Sequence, residues 1–412
     1  DDARYSWEDL AARAELPPAL GLDEVHHGPQ YQQAVETGSQ ALRDGEVAMI
    51  LVAGGQGSRL GFNHPKGMYE IGPLSHRSLY QMIIEHLSAR AKEFQSRIPL
   101  YIMTSPPTHA ESESFLCGHE FFGFDPRDVQ LFCQGVMPAV DLEGKLLLED
   151  KDCLFVSPDG HGGTLAALAR NGCLADMQAR GIKTVFYGQV DNPLVQVCDP
   201  ALIGYHLLRK SEMTTQVIRK NDPLQKVGTV VSVDGRVRII EYSDLPEEYA
   251  RQTNPDGSLK LWAGSIAVHV FDLDFLKRAN ESPNSLPFHR ARKKVAYVNE
   301  AGQRIQPERP NAIKFEKFIF DLLPSAKNAI VCEVDPAAGF CAVKNAPPAA
   351  SETPDHVRKA ISDLHKTWLR ECGVKVDDDV TVEINPLFAV DQAQLAEKVR
   401  GLQSITTDTY LS

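Results

Sequence analysis

Apolar and polar positions follow a small number of spacings along this chain. Residues 1–46 are mostly polar, with helical spacing over 30–44 and few strand signals. The first unbroken apolar run is VAMILV at 47–52. A run without polar alternation predicts a strand buried on both faces, as in a parallel sheet covered by helices. Over 79–94 the spacing becomes helical: Leu79, Ile83 and Leu87 share a face, Met82 and Ile84 widen it, and Ser78 is the candidate N-cap. LYIMT at 100–104 is the next strand, and 154–157 is a short one. Residues 164–180 read as one helix, with Leu165, Leu168, Leu174 and Met177 spaced for one face. TVFYGQV at 184–190 is again a strand. Strand, loop and helix repeated in this way predict an α/β sheet wrapped by helices, whose ligands bind at the carboxyl ends of the strands.

The pattern then changes. Residues 227–233 and 237–242, joined by Asp234-Gly235, predict a β-hairpin, and 266–271 a further strand. Residues 312–323 read as helix and 329–334 as strand. The stretch Ala346-Pro347-Pro348-Ala349-Ala350 is a candidate linker. Beyond it come a helix over 356–371, short strands and a last helix over 391–401. The expected organisation is an N-terminal helical extension (1–46), a main domain (47–345) and a small C-terminal domain (346–412).

Composition narrows the partners. With 412 residues and a net charge of −12, the chain lacks the basic surface that nucleic acid or an anionic membrane requires. No apolar run reaches the ~18–20 residues of a membrane span, and the acidic, amphipathic start is not a signal sequence. The expectation is a cytoplasmic protein without nucleic-acid or membrane partners. Its eight cysteines form no CxxC pair and are expected to be reduced. Phosphate binding in so acidic a chain must rest on locally concentrated Lys and Arg.

Such a concentration follows the first strand, in LVAGGQGSRLGFNHPKGM at 51–68. It is not a dinucleotide fingerprint: after Gly55 and Gly57 the third glycine, Gly61, comes one residue late, and the acidic residue expected about 20 positions on is missing. Nor is it a P-loop, because Lys66 stands between Pro65 and Gly67. What remains is a glycine-rich turn carrying Arg59 and a Pro-Lys-Gly turn carrying Lys66. Glycines let backbone N–H groups approach an anion, Arg clamps phosphate oxygens in pairs, and Lys adds a mobile point charge.

This stretch resembles, without a gap, the L-x-A-G-G-x-G-T/S-R-L-G…P-K-G-M signature of the eukaryotic-type UDP-sugar pyrophosphorylases, and is most similar to the UDP-N-acetylglucosamine branch. The likeness continues in order over 47–345: YIMTS at 101–105, QGVMPA at 134–139, SPDGHGG at 157–163, VDNPL at 190–194, EYS at 241–243, WAGSI at 262–266, IKFEKFIFD at 313–321 and VKN at 343–345. The resemblance implies a Rossmann-like, GT-A-type nucleotide-diphospho-sugar transferase fold, with a mixed, mainly parallel sheet. It also implies a uridylyl transfer from UTP to a sugar 1-phosphate with release of pyrophosphate.

The resemblance assigns roles by position. Arg59, Lys66 and Lys314 would be catalytic, meeting the UTP phosphates. Val52, Ala53, Gly54, Gly55, Gln134, Gly160 and Asp191 would bind the nucleotide, with Gln134 and Gly160 at the uracil edge. His161, Glu241, Tyr242, Ser265 and Lys344 would face the sugar phosphate. Asp191 would hold Mg²⁺, for which Mn²⁺ can substitute; read by itself, Asp191-Asn192-Pro193 is equally an Asx turn. The attacking group is already an ionised phosphate, so the chemistry needs no Ser, Cys or His nucleophile, only positioning and charge neutralisation. Two positions depart from the N-acetylglucosamine branch: His161 and Ser265 replace Asn. Both departures favour a UTP–glucose-1-phosphate uridylyltransferase or a broad-specificity UDP-sugar pyrophosphorylase as the second reading. A catalytically silent regulator is the third, and it predicts loss of Arg59, Lys66 or Asp191, all of which are present.

Overall fold

The computed structural model describes residues 7–282 and 285–412, so the first six residues of the acidic start lie outside it. Ten strands build the central sheet: β1 (Ala19–Leu20), β2 (Val47–Val52), β3 (Leu100–Thr104), β4 (Val129–Cys133), β5 (Thr184–Gln189), β6 (Met213–Arg219), β7 (Thr229–Val233), β8 (Arg236–Ile240), β9 (Ala263–Asp272) and β10 (Ala329–Glu333). Their order is β1-β10-β6-β9-β5-β2-β3-β4, and the β7–β8 hairpin hangs on β9 through Thr229 and Gly264. All neighbours on this path pair in parallel except β9, which runs antiparallel between β5 and β6.

The apolar runs are buried on both faces as their composition predicts. Val47, Met49 and Leu51 enter one core, while Ala48 and Ile50 enter the other. The first core is covered by helices α1 (Tyr31–Arg43), α2 (Leu79–Glu93) and α5 (Pro200–Leu208); the second by α3 (Gly163–Arg170) and α4 (Cys173–Ala179). Ser78 caps α2 by accepting the Gln81 N–H at 3.2 Å. Residues 164–180 are not one helix. Asn171-Gly172 interrupts them, with Gly172 at φ +74°, a conformation that favours glycine and cannot continue a right-handed helix.

The expected helix over 312–323 is also corrected. Ala312–Glu316 is a strand between His289–Lys293 and Val140–Asp141. A 3₁₀ turn follows over Ile319–Ser325. Two strand neighbours decide the backbone of this stretch, whatever the aromatic spacing suggests.

The first 46 residues contribute to the body of the molecule. β1 pairs with β10 at the sheet edge, α1 packs on α5, and Leu10, Ala11 and Ala14 close a cluster against the hairpin with Val231, Val233 and Ile240. At the other end, helix α6 (Pro354–Glu371) leads into a separate core of residues including Leu369, Val382, Ile384, Leu395 and Ile405. The cysteines are all free, four of them buried. No helix among the described residues is long and apolar enough to cross a membrane.

Candidate functional site

Every parallel strand of the sheet delivers its carboxyl end to one edge, and antiparallel β9 begins there. The sequence-predicted residues at strand ends therefore converge by topology. At the end of β2, Ala53 N–H donates to the Met103 carbonyl (2.8 Å), and the Ser105 hydroxyl donates to the Gly54 carbonyl (2.7 Å). The glycine loop is braced across itself: Lys66 N–H donates to Gly55 O (2.9 Å) and Gly57 N–H to His64 O (2.9 Å). Arg59 sits on the exposed 3₁₀ turn Ser58–Leu60.

Lys66, on the second turn, reaches across to the end of β5. Its Nζ lies 3.4 Å from Asp191 Oδ2 and 3.4 Å from the Val343 carbonyl. Both side chains are mostly shielded, at 18% and 14% exposure, so solvent screens this pair less than a surface pair. Val343 is brought there by Asn192, whose amide donates to Gly339 O (2.9 Å) and accepts from Cys341 N–H (3.0 Å). Val343 N–H then donates to the Asp191 carbonyl at 2.9 Å.

At the ends of β3 and β4 lie the two loops predicted for the base. Gln134 is buried, its N–H bonded to Thr104 O (2.9 Å), and Asp159 N–H donates to Gly135 O (3.1 Å), which sets Gly160 next to it. Lys317 locks the same loop from outside: its N–H donates to Asp159 O (2.8 Å) and its carbonyl accepts from Gly162 N–H (2.7 Å). Lys314 therefore stands on a strand flanking this wall. Its ammonium lies 5.0 Å from the Phe155 ring centre, and burial lowers its pKa. The structure does not bring it into contact with Lys66.

On the other side are the residues predicted for the sugar. Ser265 N–H donates to Gly228 O (2.8 Å), and a Cβ on Gly228 would lie 3.0 Å from Glu241 Oε1, so Glu241 and Ser265 share one corner. Burial and the Asp244 carboxylate push the Glu241 pKa up to about 7. Lys344 is paired with Glu352 at 3.3 Å, and its charge also acts on Glu241. Tyr242 points outward, 49% exposed.

The two departures from the branch are occupied by the scaffold. The Ser265 hydroxyl accepts Ala267 N–H (3.3 Å), where a register shift bends β9 against β6. His161 Nδ1 accepts Ile319 N–H (3.3 Å), and its ring stacks on Phe318 at 5.2 Å. Burial and neighbouring His289 lower its pKa to about 4, so the imidazole is neutral.

Several participants had escaped prediction. His289 Nε2 pairs with Asp321 Oδ2 at 2.7 Å, with Asp244 4.0 Å from its other nitrogen. Burial alone would lower the His289 pKa, but Asp321, Asp244 and Glu241 raise it. Asp159 is shielded enough that one carboxylate oxygen has no hydrogen-bond partner among the described residues, and burial raises its pKa. Asn192, Asp159 and Asp321 lie inside the quoted motifs; His289 has no local signal.

A glycine-braced cation loop, a shielded Lys–Asp pair and a carboxylate corner thus lie along one strand edge, where α/β folds bind their ligands; the class of protein is a nucleotidyltransferase. The chain belongs to the UTP–glucose-1-phosphate uridylyltransferase family, whose model matches residues 22–359. It is 38% identical over 378 residues to the UDP-N-acetylglucosamine pyrophosphorylase of Saccharomyces cerevisiae, covering 90% of this chain and 79% of that protein. It is 38% identical over 379 residues to the UDP-N-acetylhexosamine pyrophosphorylase-like protein 1 of Homo sapiens, covering 90% and 75%. The solved structure of the uridine diphosphate N-acetylglucosamine pyrophosphorylase from Trypanosoma brucei, in complex with an inhibitor, superposes with a TM-score of 0.83 at 25% identity, covering 97% of this chain and 86% of that one.

Proposed function

We propose that this protein transfers a uridylyl group from UTP to a sugar 1-phosphate, with N-acetylglucosamine 1-phosphate as the preferred acceptor. The observation that carries the reading is the meeting of Lys66 and Asp191 over the glycine loop, 3.4 Å apart, in a chain so similar to proteins of that activity. A phosphate oxygen of the sugar attacks the α-phosphorus of UTP and forms the new P–O bond. The bond from the α-phosphorus to its bridging oxygen breaks, and pyrophosphate leaves with the electron pair. Glycine-loop amides, Arg59 and Lys66 receive the triphosphate charge, Gln134 and Gly160 hold the base, and Glu241 accepts sugar hydroxyls. Lys314 flanks the base loop and adds positive charge on that wall. Lys344 contributes its charge on the sugar side, next to Glu241.

No group of three or more His, Cys, Asp or Glu among the described residues forms a resident metal site. A lone shielded carboxylate fits a Mg²⁺ carried in on phosphate oxygens, which needs only one or two protein carboxylates. Asp191 would hold it, with Mn²⁺ as a substitute, and the ion would neutralise triphosphate charge. Lys66 faces that carboxylate at 3.4 Å.

The glucose reading rested on His161 and Ser265. Both are engaged with backbone N–H groups of the scaffold, which supports the N-acetylglucosamine reading. Pyrophosphate release with UTP and a panel of sugar 1-phosphates is the test. N-acetylglucosamine 1-phosphate is expected to lead, and glucose 1-phosphate clearly outrunning it overturns the preference. Lys66→Ala is expected to stay folded and lose about 10²–10³ in turnover, as when a positioned charge-stabilising donor is removed. Near-normal turnover in that variant overturns the reaction itself.

A further inference from the structure

The C-terminal segment has its own small core, yet it reaches back to the loop that carries Lys66. Residues 69–79 close on themselves: Ile71 and Gly72 N–H donate to Arg77 O (2.8 and 3.0 Å), and Leu79 N–H donates to Tyr69 O (3.0 Å). Tyr69 N–H in turn donates to the Lys66 carbonyl at 2.9 Å. The tip of this loop meets Glu383, on the short strand Val382–Ile384 of the C-terminal core. Glu383 is 2% exposed. Its Oε2 accepts the N–H groups of Leu74 and Ser75, each at 2.7 Å, and its Oε1 accepts the Ser75 hydroxyl. Gly72 lies in the same corner, where a Cβ would lie 2.8 Å from the Arg77 backbone nitrogen and 2.9 Å from Glu383 Oε1.

Two further ties run the same way. The Arg77 guanidinium bonds the Tyr410 hydroxyl and lies 5.1 Å from that ring centre. Arg358 of α6 donates to the Glu70 carbonyl at 2.9 Å. Across the site, Lys344 and Asn345 N–H donate to Glu352 O (2.8 and 3.0 Å), one residue before Thr353, which caps α6. The Val343 carbonyl beside them accepts from Lys66 Nζ. Lys66 thus sits between two chain segments, each tied to α6 or to the C-terminal strands.

A carboxylate this deeply buried is costly unless every lone pair is used, and charge-assisted bonds to backbone N–H groups are strong. Here they are spent on a loop tip eight and nine residues beyond the catalytic lysine. We propose that Glu383 is a positioning residue for the triphosphate site: it fixes the 69–79 loop and through it the Lys66 ammonium. The C-terminal segment is then part of the UTP-binding machinery. The inference rests on the reading of Lys66 as a UTP-phosphate ligand.

The test uses the full chain. Glu383→Gln keeps the volume but turns an amide N–H toward N–H or O–H donors. Ser75→Ala removes one bond, leaves the carboxylate in place, and serves if the first variant does not fold. In Glu383→Gln, kcat/KM for UTP is expected to fall about ten- to a hundredfold, since a remote misplacement of ~1 Å costs up to ~10² in rate. The KM for the sugar 1-phosphate at saturating UTP is expected to hold, a split that general loss of stability does not produce. Without substrates, amide exchange over 66–78 is expected to speed up while that of 100–104 stays constant; Ser75→Ala moves both readouts less, in the same direction. Unchanged UTP kinetics in a folded variant, an equal rise in KM for both substrates, or unchanged exchange over 66–78 overturns the inference. Lys66→Ala run in parallel separates the two readings. If it is inactive while Glu383→Gln is normal, only the positioning role falls; if it is near-normal, the functional reading falls as well.

Discussion

Burial, with Asp244 adding a like charge, holds the Glu241 pKa near 7, well above the 4.5 of a free glutamate. A carboxylate that titrates there switches between accepting two hydroxyls and offering one of its own. On the proposed function, the KM for the sugar 1-phosphate should therefore fall as pH rises from about 6 to 8, while the KM for UTP stays level. Glu241→Gln should remove that step. The sugar phosphate's own second ionisation, near ~6, affects both proteins alike and drops out of the comparison. An identical profile in the two proteins would exclude Glu241 from the sugar corner. The stability sign runs against the functional one. Between 4.5 and about 7 the folded protein binds a proton that the unfolded chain has released. This contribution is fully present below 4.5 and is lost as pH rises through about 7.

At the scale of elements, helices α1 and α5 cross with backbone almost touching backbone. A Cβ on Gly204 would lie 1.7 Å from the Ala34 carbonyl oxygen, and one on Gly38 would lie 1.9 Å from that of Pro200. Neither oxygen belongs to a side chain that can swing away. Gly204→Ala should therefore force the helices apart, at a cost of about 1–3 kcal/mol or more, read as a lower denaturant midpoint; an unchanged midpoint would mean that the crossing yields freely. The same scale shows what could be read in advance. The strand at 47–52 was legible because every residue is apolar and both faces are covered. Met213–Arg219 was not, because Thr214, Thr215 and Gln216 interrupt it, although all three are buried. Thr214 and Thr215 bond His206 (2.8 Å) and His269 (3.1 Å), partners that no local pattern reveals. The strand at 312–316 reads as helix because Phe315, Phe318 and Phe320 sit at near-helical intervals, while its pairing partners lie elsewhere in the chain. In the site, the loop cations and Asp191 stood out by motif. Glu383 and His289 did not, since Glu383 acts on a loop more than three hundred residues away and His289 pairs with Asp321 and Asp244 outside its own stretch.

At the scale of the whole molecule, burial holds five histidines in their neutral form. Burial lowers the pKa of His86, His206 and His269 to about 3, and that of His161 and His365 to about 4. These rings are spread through the molecule, and three more besides His161 use a nitrogen structurally: His206 on Thr214, His269 on Thr215, and His365 Nδ1 accepting Ile384 N–H at 3.1 Å. An unfolded chain takes up protons at each of these positions as pH drops below 6.5, while the folded chain does not. Stability from these groups is therefore present above 6.5 and is lost as pH falls toward 4 and 3. The upper limit is about 1.4 kcal/mol per group per pH unit. Glu241 opposes this trend, as do Glu85, Asp159, Asp244 and Asp321, whose pKa values burial raises, and His289, raised by its carboxylate neighbours; over the acid window the net slope is expected to follow the five histidines. The melting temperature should fall steeply between about pH 6 and pH 4, within the window those shifts define. His365 adds a spatial expectation, because it joins α6 to the strand that carries Glu383. Amide exchange at Ile384 should rise with acidification in step with global unfolding if the C-terminal core and the sheet form one cooperative unit, and ahead of it if that core opens alone. A melting temperature that stays level from pH 7 to pH 4 would count against neutral histidines in the folded protein, contrary to their buried placement.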